Sequence, residues 1–217
     1  YTTEAVPAGY VGQNLNVKGL VGGHSGMDII LYRANANKVM TRALLPLLRD
    51  LGAKLINVEG GNMRNAIPRE AVANIAVPSD KLEEAKAIVA KVEAEVKVEY
   101  AATDKDAKVY LEDAPIAGEA ICQQVAVNMC RALYGCPSGV ERMSDAMPGL
   151  VETSNNMAIV KSENGTISVH SLMRSSVDTA KDDLAEKMRA VFELAGAEVS
   201  FRGGYSGWAP MQRERAS

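Results

Sequence analysis

The feature that most constrains this 217-residue chain is a recurrence at long range. The stretch "SDKLEEAKAIVAKVEAEVKVEY" in the first half is echoed by "VDTAKDDLAEKMRAVFELAGAEVSFR" in the second. Each reads as a capped helix with an acidic first turn, followed by an alternating strand. In the first copy Ser79 or Asp80 stands at the cap, and Leu82, Ala85, Val89 and Val92 form the inner stripe. A spacing on the order of 100 residues marks a duplicated domain rather than a solenoid.

The elements upstream of each copy complete the pattern. In the first half a strand at about 11–21 precedes the helix "RANANKVMTRALLPLLRDLG", whose Ala36, Val39, Ala43, Leu47 and Leu51 recur at helical spacing. Asn35 or Asn37 caps its start, Gly52 ends it, and Pro46 removes a backbone donor inside it. "KLINVE" and "EAVANIAVP" read as strands around the turn "GGNMRNAIPR", and "VKVEY" as the strand after the second helix. In the second half "AKVYLE" opens as a strand and "AGEAICQQVAVNMCRALYG" follows as a helix. "LVETSNNMAIVKS" and "TISVHSLMRSS" make a hairpin over Asn164-Gly165, and "AEVSFR" closes. Two βαββαβ units predict an α+β fold of tandem ferredoxin-like units, an antiparallel sheet of about eight strands with helices on one face. The expected division is a first unit at 1–103, a second at 104–210 and a tail at 211–217.

The chain is 47% apolar and 24% charged with a net charge of -3, which leaves no basic stripe for nucleic acid. No apolar run is long enough to cross a bilayer. Cys122, Cys130 and Cys136 form no CxxC pair, and an odd number points to free, mostly buried thiols in a reducing, cytoplasmic setting.

A catalytic zinc needs about three protein ligands. With two histidines there is no HExxH or HxD, and Glu83-Glu84 falls on the solvent side of a helix. No phosphate-cradling glycine pattern and no GxSxG elbow is present. What remains is a polar set without a metal. His24 and Ser25 sit in the glycine-rich "GLVGGHSGMDI"; Asn62, Arg64 and Asn65 lie before Ile67-Pro68. Thr153, Ser154, Asn155 and Asn156 lie on one hairpin strand, His170 and Arg174 on its partner. By the period of two, His170, Leu172 and Arg174 share a face. His170 reads as a half-buried sheet residue. Arg174 suits a surface salt bridge as well as a bidentate grip on a carboxylate.

Four ordered motifs, "GLVGGHSGMDI…RANANKVMTRAL", "NAIPREA", "GLVETSNNMAIV…SLMRSSVD" and "GGYSGWAP", resemble the aminoacyl-histidine dipeptidases, the Xaa-His or peptidase D group of co-catalytic zinc exopeptidases. The resemblance runs to about Pro210 and matches the family's lid domain alone. It implies an enzyme that cuts Xaa-His dipeptides such as carnosine. Two zinc or similar divalent ions and a carboxylate base would come from a catalytic domain elsewhere in the same polypeptide, so no metal ligand is expected here. It implies that His24 binds the scissile carbonyl oxygen, that Asn65 and Arg174 bind substrate, and that a homodimer can form through the lid. Departures are Tyr32, where glycine usually precedes the RANA segment, and Tyr205-Ser206-Gly207-Trp208, where Tyr-Pro-Gly-Trp is more usual. A stand-alone ferredoxin-like dimerisation or small-molecule-sensing module is the alternative. A lid predicts these residues facing solvent, whereas a sensor predicts a closed pocket.

Overall fold

The computed structural model describes residues 1–201; the "GGYSGWAP" motif and the tail lie outside the described residues. Alternation builds the first long strand, β2 (Tyr10–Lys18), in which Gln13, Leu15 and Val17 are buried and point to the core. Chain order places the two-residue β1 (Thr3–Glu4) before it and β3 (Gly23–His24) after it. Helix α1 (Ala36–Asp50) follows, capped by Asn35, whose side-chain oxygen accepts from the N–H groups of Asn37 and Lys38 at 2.9 and 3.2 Å. The helix continues past Pro46, burying Val39, Met40, Ala43, Leu44, Leu47 and Leu48. Strands β4 (Lys54–Gly60), β5 (Ala66–Ile67) and β6 (Ala71–Pro78) lead to α2 (Leu82–Glu99) and β7 (Lys108–Asp113).

The rest of the chain supplies β8 (Ala120–Ile121), α3 (Gln123–Gly135), β9 (Gly139–Met143), β10 (Val151–Glu163), β11 (Thr166–Ser175) and α4 (Asp178–Leu194). The main sheet runs β11-β10-β4-β6-β2-β7, with β9 also against β10, and its recorded pairings are antiparallel. Strands β4, β6, β2 and β7 with α1 and α2 make one ferredoxin-like unit. Strand β10 joins the second half to it through Val160 opposite Gly60 and Lys161 opposite Glu59. Helix α1 packs against α2 and α3, and α3 against α4, so the helices line one face. A single hydrophobic core fills the space between, from Leu15, Ile75 and Val77 to Met157, Leu184 and Phe192. Among the described residues the main sheet has seven strands.

Two elements differ from expectation. "VKVEY" is the end of α2, not a strand, because Val89, Val92 and Val96 continue one buried helical stripe while Val98 is 78% exposed. The closing strand of the first unit is "AKVYLE", which pairs with β2 from Gln13–Asp113 to Lys18–Lys108. Strand β7 thus pairs with the first unit's sheet, although it lies beyond the expected division at 103. Among the described residues the second unit is an incomplete copy. It enters α3 directly from β8, which pairs with β1, and residues 197–201 of "AEVSFR" form no strand. The Ser79–Lys81 segment is a 3-10 turn, and Lys81 at the α2 cap makes no side-chain capping bond. The hairpin turn is as read: Asn164 and Gly165 have φ of 52° and 76°, both central positions of a type I′ turn. All three cysteines are free. Burial pushes the Cys130 and Cys136 thiols up to about 12 and about 11.

Candidate functional site

His24 lies in a self-braced loop. Gly23 is held at φ 138°, and a Cβ there would come within 2.6 Å of the Asp28 carboxylate, so the position needs glycine. That carboxylate accepts the His24 backbone N–H at 2.8 Å, and the Asp28 N–H donates back to the His24 carbonyl at 2.9 Å. Arg33 closes the same loop, donating to the Gly22 carbonyl at 2.8 Å with its guanidinium 3.6 Å from Asp28.

The imidazole has a defined orientation. His24 Nδ1 accepts the backbone N–H of Gly26 at 2.9 Å and of Met27 at 3.1 Å. A nitrogen that accepts cannot carry the proton of a neutral imidazole, so the proton belongs on Nε2. The ring is therefore presented as an Nε2–H donor at a partly exposed position.

Arg174 reaches this loop from β11, the far end of the sheet. Its guanidinium donates to the Ser25 hydroxyl at 3.3 Å, and Ser25 is buried. A Cβ on Gly26 would lie 3.0 Å from His24 Cε1 and 3.1 Å from Arg174 Cζ, so the two side chains flank one glycine. The buried Lys181 on α4 is lowered to about 8, chiefly by burial, with Asp178 and Asp182 opposing and the nearby Arg174 charge adding to the shift. Asn65 is placed by its backbone. Its carbonyl accepts the Ser25 N–H at 2.9 Å, and the short ribbon of β3 and β5 pairs His24 with Ala66. Its side chain is exposed.

The structure thus brings His24, Asn65 and Arg174 to one open rim, two from the first unit and one from the second. Other members of the polar set serve elsewhere. His170 is exposed farther along β11, Asn155 donates to the Pro137 carbonyl at 2.8 Å, and Thr153 bonds Ser175 at 2.9 Å. Asn156 has a part that sequence reading left unassigned. Its amide donates to the Ala66 carbonyl at 2.8 Å and the Arg64 carbonyl at 3.4 Å, bracketing Asn65 from both sides. Asp28 was missed as well; its spacing of four from His24 on a loop carries no periodic signal. A concavity of about 970 Å³ beside the ribbon is lined by Asn16, Lys18, Arg69 and others, without His24 or Arg174. Among the described residues no group of three or more His, Cys, Asp or Glu side chains converges as a metal site. No helix there is long and apolar enough to cross a membrane.

The chain as a whole is similar to known proteins. Residues 15–104 match the peptidase dimerisation domain. Over 207 residues, 95% of the chain, it is 39% identical to the cytosol non-specific dipeptidase of Escherichia coli (strain K12), covering 43% of that protein. The crystal structure of an aminoacylhistidine dipeptidase from Vibrio alginolyticus superposes with a TM-score of 0.91 at 36% identity, over 97% of this chain and 43% of that one. The chain spans less than half the length of either relative. Its residues 15–104 are a peptidase dimerisation domain, and over nearly its whole length the chain is similar to the corresponding part of these two dipeptidases.

Proposed function

We propose that this chain serves a metal-dependent dipeptidase as its lid, supplying substrate contacts while the metal ions and general base lie in the rest of the polypeptide. The observation that carries the reading is the pairing of a fixed Nε2–H donor on His24 with the Arg174 guanidinium across Gly26. A dipeptide has a scissile carbonyl one residue from its terminal carboxylate, so its enzyme needs a donor and a cation close together.

In this reading Arg174 grips the terminal carboxylate through charge-assisted bonds and Asn65 adds an amide from the rim. His24 Nε2–H donates to the carbonyl oxygen, and its bond strengthens as negative charge gathers there during attack. Among the described residues no set of His, Cys, Asp and Glu side chains converges to hold metal ions, which in this reading would be held by the rest of the polypeptide. The two relatives are named for different scopes, aminoacylhistidine and non-specific dipeptides. The contacts proposed here recognise features that all dipeptides share; preference for Xaa-His substrates such as carnosine would be set by the other part of the site. A cytosolic location follows the Escherichia coli relative's name. The open rim favours a lid over a closed sensing pocket.

The second unit also bears on assembly. Strand β10 covers the β4 edge and α3 covers the flank of α1. We propose that the second unit stands where a partner subunit's lid would pair, so His24 acts on its own polypeptide's site and any homodimer uses another surface. Kinetics of the full-length enzyme test these roles. His24→Ala should lower kcat about 10²–10³-fold. Arg174→Met should raise KM by roughly 10- to 100-fold, as loss of a charged hydrogen bond worth about 1.5–3 kcal/mol requires. A mixed dimer of His24→Ala and metal-site-dead subunits should stay inactive; recovered activity would place His24 in trans.

A further inference from the structure

We propose that Asp104, outside every motif noted in the sequence, is the positioning residue that closes the base of the His24 loop. Its carboxylate is fully buried at 0% exposure, in the turn between α2 and β7. One oxygen accepts the Val21 N–H at 2.9 Å; the other accepts the Ala34 N–H at 2.9 Å and the Thr103 hydroxyl at 2.8 Å. Val21 and Ala34 are the two stems of the segment that carries His24, Ser25 and Gly26. The turn itself is fixed to α2, because the Asp104 N–H donates to the Tyr100 carbonyl at 2.8 Å. One side chain thus joins both loop stems to the helical layer.

The contacts within the loop make this closure consequential. Asp28, Arg33 and the Gly26 and Met27 amides set His24 relative to the loop. The β3–β5 pairing and the Ser25–Asn65 bond hold its crown to the neighbouring turn. Asp104 sets its base relative to the sheet, and hence relative to Arg174 on β11. Only a carboxylate offers an acceptor to each stem at once. The amide of asparagine keeps the shape but turns one acceptor into a donor, leaving one buried backbone N–H facing another donor. The consequence for catalysis rests on the lid reading, but the closure itself does not.

Native-state hydrogen exchange on this chain, with ¹⁵N spectra of the His24 imidazole, tests the proposal. In Asp104→Asn the amides of residues 22–33 should exchange roughly 10- to 100-fold faster while β2 and β6 keep their protection. The His24 nitrogens should shift from one defined tautomer toward a mixture. Thr103→Val keeps both carboxylate–backbone bonds and should leave loop exchange in place. Unchanged loop exchange, equal loss across loop and sheet, an unaltered His24 tautomer, or the same effect from Thr103→Val would overturn it. Failure of the lid reading looks different: the full-length wild-type protein would hydrolyse no dipeptide, whatever the exchange rates.

Discussion

Gly26 is the residue on which the site turns, and not through its backbone, since it is absent from the positive-φ glycines. Alanine there is conformationally allowed. Its Cβ would meet His24 at 3.0 Å and Arg174 at 3.1 Å, so both side chains must yield by a few tenths of an ångström. Because both are partly exposed, the fold can absorb that movement at little cost, whereas the substrate-contacting geometry proposed for them cannot. Gly26→Ala in the full-length enzyme should lower kcat/KM by about 10-fold or more, with a melting temperature close to wild type. A large drop in melting temperature would show instead that the glycine serves packing. At this scale the sequence is informative about residue type and silent about partners. A histidine among glycines and an arginine at a strand end are visible as chemistry. The carboxylate of Asp28 on the His24 amide is a turn contact with no periodic signal, and Asn156 on carbonyls some 90 residues away in sequence is a contact made by tertiary folding alone. Tyr32, noted for standing in a glycine position, does adopt φ 56°, so a local departure there had a readable backbone meaning.

At the scale of elements, the helices and hairpin were legible because their signals are periodic and local. The Asn35 cap, the Val89–Val92 stripe and the Asn164–Gly165 turn each sit within a few residues of what they control. "VKVEY" was not, because alternation and a helical stripe overlap over five residues and packing decides between them. Capping across elements is hidden too. Lys38 of α1 donates to the carbonyls of Leu133, Tyr134 and Cys136 at 2.6, 2.9 and 2.6 Å, closing the C-terminus of α3. Burial holds this ammonium below its ordinary range, with the neighbouring Cys136 opposing the shift. Three carbonyls and a helix dipole compensate the buried charge. Lys38→Met keeps most of the apolar stem but leaves those carbonyls without their donor. It should cost about 2–4 kcal/mol, read as a lower urea midpoint at unchanged m-value. A cost below about 0.5 kcal/mol would mean water replaces the ammonium freely.

At the scale of the molecule, the question is whether two units in one sheet behave as one body. Their β4–β10 seam has only two registered pairs, Val160–Gly60 and Lys161–Glu59, which alone would be a weak join. The helical layer argues otherwise. Helices α1 and α3 pack together, Lys38 spans them, and Asn35 donates across to the Met157 carbonyl at 3.0 Å. Asn156 ties β10 to the β5 turn, and buried residues of α1, α2, α3 and α4 belong to one core. Opening the seam would therefore expose apolar surface on both sides and orphan several buried polar groups. Among the described residues the second unit has no counterpart of β2, and it takes the β4 edge of the first. These terms favour one cooperative unit over two independent ones. Calorimetry of this chain should give a single transition, with a calorimetric enthalpy equal to the van't Hoff enthalpy and a midpoint independent of protein concentration. Two separable transitions would show that the halves fold independently, and a midpoint that rises with concentration would show that a partner chain, rather than the second unit, stabilises the lid.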